Sequence, residues 1–231
     1  MKRIDWDELN PLYAEQVLFF KEKLEGYLAE GKRVFASSSF QSHSIPMLHI
    51  MANIAPEVPV YFLNTGYHFP ETLAYRKQIG ELLSVSVVDV SSPVSKSMQR
   101  EPDGRLYFSS DPNRCCYLNK TLPMEPVLAT HDVWITGVRK DQSSTRSNFA
   151  FEAPGPHDTL RFHPMLEWNG RMIGNYIKDF ELPRHPLEAK GYLSIGCSPC
   201  TAKFTGEGRG GRWTGMKKTE CGLHTDLAQA K

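Results

Sequence analysis

Five cysteines fall into three groups: adjacent Cys115 and Cys116, the pair in Cys197-Ser198-Pro199-Cys200, and Cys221 within Glu220-Cys221-Gly222-Leu223-His224. Thiols grouped at two places along a chain are donors for an inorganic centre. An odd count leaves one thiol over in any disulfide scheme, and a bond between the adjacent pair would close a strained ring. Two centres suit four thiolates: tetrahedral zinc, for which CxxC is a common half-site, and a 4Fe–4S cluster. The adjacent pair favours the cluster, because its several irons can take neighbouring ligands on different metals. Cys221 keeps different company. Lys217, Lys218, Glu220 and His224 are not core companions, and cations near a thiol favour the thiolate that acts as a nucleophile. A buried structural thiol is the alternative.

A second set of residues suits an anion. Ser37-Ser38-Ser39-Phe40-Gln41-Ser42-His43-Ser44 has small hydroxyl residues that let the backbone curl. Hydroxyls and N–H groups could then point at a phosphate beside a helix N-terminus. The segment is not a GxxxxGK[ST] loop and lacks its lysine. Asn64-Thr65-Gly66 is another tight polar turn, and Arg139 and Arg146 bracket a polar loop whose guanidinium groups could hold phosphate or sulfate through paired contacts. Arg209 and Arg212, with Trp213 beside them, lie in a stretch leading to Cys221. Taken singly, each fits a polar turn or a solvated surface charge; together they point to one site.

These groups need a frame. An apolar stripe at helical spacing predicts a helix over residues 11–30, ended by Gly31, and further helices follow at 46–51 (with Ser44 as cap), 70–83 and 123–129. Short apolar runs at 34–37, 59–63, 85–90 and 132–137 predict strands. Such alternation implies the α/β class: an open, mostly parallel sheet with helices on both faces. Ligands in these folds sit beyond the carboxyl ends of the strands, where the serine turn, the 64–66 turn and the arginine loop all fall. From residue 201 onward glycines interleave with six Lys/Arg against three acids, the composition of a mobile basic tail.

Composition narrows the class. With 231 residues, 40% hydrophobic and 23% charged, the chain is ordinarily globular. A net charge of +1 gives no overall field for nucleic acid. No apolar run reaches the roughly 20 residues of a membrane span, and the first residues lack a secretory pattern. A cytoplasmic protein is expected, and in a reducing compartment the cysteines are ligands or catalysts.

With these motifs assembled, the chain closely resembles the assimilatory sulfonucleotide reductases, specifically the iron–sulfur-containing adenylyl-sulfate reductases. The carriers are residues 37–40, Asn64-Thr65-Gly66-Tyr67-His68-Phe69-Pro70-Glu71-Thr72, Cys115-Cys116 with Lys120 and Pro123, the 139–146 loop, Gly196-Cys197 with Cys200-Thr201, Gly211-Arg212-Trp213, and residues 220–224. The serine turn is a weak signature; the cysteine pairs together with 220–224 are specific. The resemblance implies a sheet like that of the adenine nucleotide α-hydrolases. It implies a nucleotide- and cluster-binding domain over residues 1–200, and a tail, 201–231, that carries the nucleophile. One 4Fe–4S cluster would be held by Cys115, Cys116, Cys197 and Cys200. Cys221 would take the sulfur from adenylyl sulfate, with His224 and Lys120 assisting, and thioredoxin or glutaredoxin would bind transiently to release sulfite. Ser37, Ser38, Ser39, Phe40, Asn64, Thr65, Gly66, Arg139, Arg146, Arg209 and Arg212 would bind the substrate.

One departure matters. The serine turn continued by Gln41-Ser42 looks closer to that of relatives using phosphoadenylyl sulfate, with Lys32 and Arg33 as candidates for the extra phosphate. That keeps 3'-phosphorylated or dual specificity open, as it does homo-oligomerisation. Two rivals are an ATP-dependent thiolation or adenylation enzyme, whose usual Ser-Gly-Gly-type loop is absent, and a zinc-stabilised nucleotide-binding redox module.

Overall fold

The computed structural model describes residues 1–144, 146–204, 211–213, 218 and 223. The strands are β1 (Val34–Ser37), β2 (Val60–Leu63), β3 (Val87–Val90), β4 (Val133–Thr136), β5 (Glu152–Pro154) and β6 (Leu160–Phe162). They form one sheet in the order β3-β2-β1-β4-β6-β5, parallel throughout except for β5, which runs antiparallel to β6 at the edge. The α-helices are α1 (Ala14–Ala29), α2 (Ile45–Ile54), α3 (Pro70–Leu83), α4 (Tyr107–Ser110), α5 (Pro112–Cys116), α6 (Leu122–Leu128) and α7 (Gly170–Asp179).

Successive side chains on a strand point to opposite faces, and this divides the interior in two. Val34 and Ala36, Val60 and Phe62, and Val133 and Ile135 join one core with residues of α1, α2, α3 and α7. Phe35 and Trp134 turn to the other face, where Met124 and Leu128 of α6 cover them. Strands covered on both sides read as near-continuous apolar runs, which is why β1 and β4, buried at every residue, were legible. β2 and β3 were legible from their β-branched and aromatic residues, although β2 is buried on one face only and β3 is partly exposed. β5, β6 and α7 were not anticipated. Both strands are three residues long and break the pattern with Pro154 and Arg161; α7 is capped by Asn169, whose side chain accepts from Met172 N at 3.0 Å.

Three expected details differ. The first helix starts at Ala14 because Asn10 O receives the N–H groups of Tyr13 and Ala14, at 3.1 Å each, in a preceding turn. Ser44 makes no side-chain cap, since a 3-10 turn, Ser42–Ser44, leads directly into α2. Arg33 is committed elsewhere: its Nε and NH2 pair with Asp132 at 3.0 and 2.7 Å. That pair lies at the amino end of β1, about 13 Å of strand away from the serine turn, so Arg33 and neighbouring Lys32 do not face the turn.

The chain lays down β1, β2 and β3 outward on one side, then returns across β1 to place β4 on the other. The point of reversal lies between β1 and β4 and opens a crevice at their carboxyl ends. The return crossing carries Cys115, Cys116 and Lys120. No helix among the described residues is long and apolar enough to cross a membrane.

Candidate active site

At the reversal point lies a cavity of about 530 Å³, within the size range of small-molecule sites. Ser37, Ser38 and Ser39 enter its wall from the end of β1, and Gly137, Arg139 and Arg146 from beyond β4. The serine turn is shaped by its own bonds. Ser38 N donates to Tyr61 O at 3.2 Å, and Phe40 N to Ser38 Oγ at 3.1 Å. Those two amides are therefore used within the protein, leaving hydroxyls to face a ligand. Trp134 Nε1 donates to Ser37 Oγ at 2.8 Å; an indole only donates, so the serine's own proton is left for another acceptor. Phe40 takes a φ of +51° and turns its ring into the first core, 5.8 Å from that of Phe62.

The arginine loop is only partly open to a ligand. Arg139 is paired with Asp141 through Nε at 2.9 Å and NH2 at 3.3 Å, so its charge is matched within the loop. Arg146 is 5% exposed and donates to Gln142 Oε1. His68, also in the wall, is pushed down to about 4 by burial, with Lys120, Arg76 and Lys96 acting in the same direction. It is a neutral imidazole at neutral pH.

The cysteines converge from two directions. Asp111 caps α5, accepting from Arg114 N at 3.0 Å, and Pro112 sits at the first helical turn. Between α5 and α6 the helix widens into a π turn, Tyr117–Thr121, a device frequent at functional sites. Cys115, Cys116, Asn119 and Lys120 thereby line a second, smaller cavity. Cys197 and Cys200 reach the same cavity from a 3-10 turn, Ser198–Cys200. Ser198 N donates to Tyr67 O at 2.7 Å, and Thr65 Oγ1 lies 3.2 Å from Cys197 Sγ. Burial raises the Cys115 thiol above its ordinary value, and Cys197 and Cys200 raise it further. Cys200 rises through burial and then Cys197, opposed by Arg212, Lys120 and Lys218. A cation placed among such thiols would favour their thiolate forms. Among the described residues, no three His, Cys, Asp or Glu come close enough together to hold a single metal ion.

Lys120, Cys197, Arg212 and Trp213 line both cavities. Arg212 is placed with care. Thr201 and Arg212 pair antiparallel, and Trp213 N and Arg212 Nε both donate to Cys200 O, at 3.1 and 3.2 Å. The guanidinium stacks 4.3 Å from the Trp213 ring and lies against Gly196. Gly211, at φ +92°, has the Ala202 carbonyl where a Cβ would stand.

Of the residues read as ligand-binding, Ser37, Ser38, Ser39, Lys120, Arg139, Arg146 and Arg212 line the larger cavity, and Phe40 does not. The 64–66 turn stands towards the cysteines instead: Thr65 lines the smaller cavity, and Asn64 Nδ2 bonds Asp89 Oδ2 at 3.4 Å. Cys221, His224 and Arg209 lie outside the described residues. Leu223, in the same motif as Cys221, is described; it is 8% exposed, belongs to the second core and lines the larger cavity. Sequence reading gave no ligand-binding role to His43, Thr136 or Gly196 and passed over residues 193–195, all of which also form this wall. The last segment is drawn in by Ile195 N, which donates to Gln41 Oε1 at 2.8 Å, a long-range bond with no local signal.

Comparison with known proteins agrees with this arrangement. A search of solved structures finds phosphoadenylyl-sulfate reductase from Candida auris at a TM-score of 0.66 and 17% identity, covering 85% of this chain and 98% of that one. FMN adenylyltransferase from Candida glabrata follows at 0.59 and 13%, covering 84% and 65%. At such identities the likeness shows the fold alone. Among curated proteins, adenosine 5'-phosphosulfate reductase of Rhodococcus erythropolis is 39% identical over 77% of this chain and 73% of its own length. The Mycobacteroides abscessus protein of the same name is 36% identical over 94% and 90%. Phosphoadenosine 5'-phosphosulfate reductase of Gloeobacter violaceus is 34% identical over 95% and 90%. The model of the phosphoadenosine phosphosulfate reductase domain matches residues 33–203, the span that carries the sheet, all four grouped cysteines and most of the lining of both cavities, and the chain belongs to that family.

Proposed function

We propose that the protein reduces adenylyl sulfate to sulfite and AMP, as a step of sulfate assimilation in the cytoplasm, with electrons from a thioredoxin- or glutaredoxin-type dithiol. One observation carries the reading: the nucleotide-sized cavity and the thiol-lined cavity share a wall, and that wall includes Lys120 and Arg212, while Leu223, two residues beyond Cys221, lines the larger cavity. The relatives named for adenylyl sulfate support the unphosphorylated substrate, as does the engagement of Arg33 at the far end of β1.

In this scheme the 201–231 tail brings the Cys221 thiolate to the sulfate sulfur. A sulfur–sulfur bond forms, the bond from sulfur to the phosphate oxygen breaks, and its electron pair leaves with AMP. Lys120 and Arg212, with Arg209 and His224, offset the repulsion between two anions, and donors on the departing phosphate stabilise the charge that develops there. Ser37, Ser38, Ser39 and Arg146 hold the nucleotide. A thiolate of the reductant then attacks Cys221 sulfur in the S-sulfocysteine and expels sulfite. The reductant's second thiol resolves the mixed disulfide and restores Cys221.

The donor set of Cys115, Cys116, Cys197 and Cys200 suits a 4Fe–4S cluster. Four thiols line one cavity, and the adjacent pair Cys115 and Cys116 suits a centre of several irons, which can take neighbouring ligands on different metals, better than one tetrahedral zinc. When bound, such a cluster ties α5 to the 198–200 turn and sets the local field. The test is Cys221→Ser, which should bind adenylyl sulfate but release no sulfite. Wild-type enzyme without reductant should carry an added SO3 on Cys221 by mass spectrometry. Turnover by the serine variant, or an adduct elsewhere, would refute the scheme.

A further inference from the structure

Behind the smaller cavity lies a network centred on Lys96, Gln99 and Asn119, three residues that the sequence motifs do not name. Lys96, in the 3-10 turn Lys96–Met98 after β3, reaches back so that Nζ bonds Asn119 Oδ1 and sits 4.4 Å from the centre of the Tyr67 ring. Its stem crosses the 64–67 turn at Gly66, where a Cβ would stand 2.8 Å from Lys96 Cε. At φ +70° this residue is glycine for two reasons, backbone and room for a lysine. Among the described residues no carboxylate pairs with Lys96.

The amide of Asn119 is held in one orientation. Asn119 is 1% exposed, and its Oδ1 receives both Lys96 Nζ and Gln99 Nε2, the latter at 3.1 Å. The oxygen is therefore the acceptor, and the NH2 group must face the other way. It donates to Gln99 Oε1 at 2.6 Å and Cys115 O at 2.9 Å, and lies 3.7 Å from Cys115 Sγ. Gln99, fully buried, is fixed in turn by Val94 O at 2.8 Å.

We propose that Lys96 and Asn119 form a cationic relay that stabilises the thiolate of Cys115 and the centre it helps to hold. The inference rests on the cluster reading above. Lys96 is a positioning residue: it touches no substrate and acts through the amide it polarises. Hydrogen bonds to the sulfurs and the net charge around a cluster set its reduction potential. Loss of such an outer partner weakens metal retention roughly ten- to a hundredfold.

The experiment compares iron-loaded wild-type protein with Lys96→Met, Lys96→Arg and Gly66→Ala under anaerobic conditions. Iron loss to an excess chelator and the midpoint potential are followed, and circular dichroism checks the fold. Lys96→Met is expected to lose iron at least severalfold faster and to shift the potential downward. Lys96→Arg should stay near wild type, and Gly66→Ala, which displaces the lysine stem, should follow Lys96→Met. Wild-type retention and potential in both Lys96→Met and Gly66→Ala would overturn the relay while leaving the cluster reading intact. Wild-type protein that binds no iron would overturn both.

Discussion

Gly196→Ala offers a way to move one guanidinium without touching its residue. An ideal Cβ at Gly196 would stand 2.5 Å from Arg212 Cζ, whereas ordinary contact begins near 3.4 Å. Gly196 has no positive φ, so alanine is not strained there, and the obstacle is the far end of a flexible side chain. The fold should persist while the guanidinium retreats by about 1 Å, enough to break a charge-assisted hydrogen bond. Such bonds contribute about 1.5–3 kcal/mol, or roughly ten- to a hundredfold in affinity. The assay is calorimetric binding of adenylyl sulfate to proteins that also carry Cys221→Ser, so that no turnover intervenes. Gly196→Ala and Arg212→Ala should weaken binding alike, and the double variant should be no worse than either. Wild-type affinity for Gly196→Ala, or penalties that add, would show that the position of Arg212 does not govern binding.

Two further outcomes follow from groups described above. Trp134→Phe keeps an aromatic ring but removes the donor to Ser37 Oγ; a neutral bond of about 0.5–1.5 kcal/mol predicts roughly two- to tenfold weaker binding, not additive with Ser37→Ala, and unchanged affinity would refute it. His49 and His163 are fully buried, and burial pushes them down to about 4 and about 3 from 6.5. The unfolded chain therefore takes up protons that the folded one refuses, and stability should fall as pH drops from about 6.5 towards 4. Each histidine contributes at most about 1.4 kcal/mol per pH unit. Urea unfolding at pH 7.5 and 5.0 measures the loss, and equal stabilities would contradict it.

Much of the frame was legible because the central strands, covered on both faces, announce themselves: Val34 and Ile135 turn to one core and Phe35 and Trp134 to the other. The expectation that four thiols share one centre groups Cys115 with Cys197 on chemical grounds, and both line the smaller cavity. What escaped reading depends on distant partners or single backbone angles. The serine run suggested a cradle of amides, but the positive φ of Phe40 and the bond from its N–H to Ser38 Oγ gave the turn a different use. Arg139 looked available until Asp141, two residues on, claimed it. Lys96 lies 23 residues from Asn119 in sequence, with nothing nearby to advertise the contact.

Thr201 pairs with Arg212 beside the 198–200 turn, and the carbonyl of Cys200 holds both Arg212 and Trp213. A thiol of the smaller cavity and a cation shared by both cavities thus hang from one peptide group. On the reading proposed above, any shift of that turn would carry the Cys200 thiol and the Arg212 guanidinium together, and so alter the walls of both cavities at once.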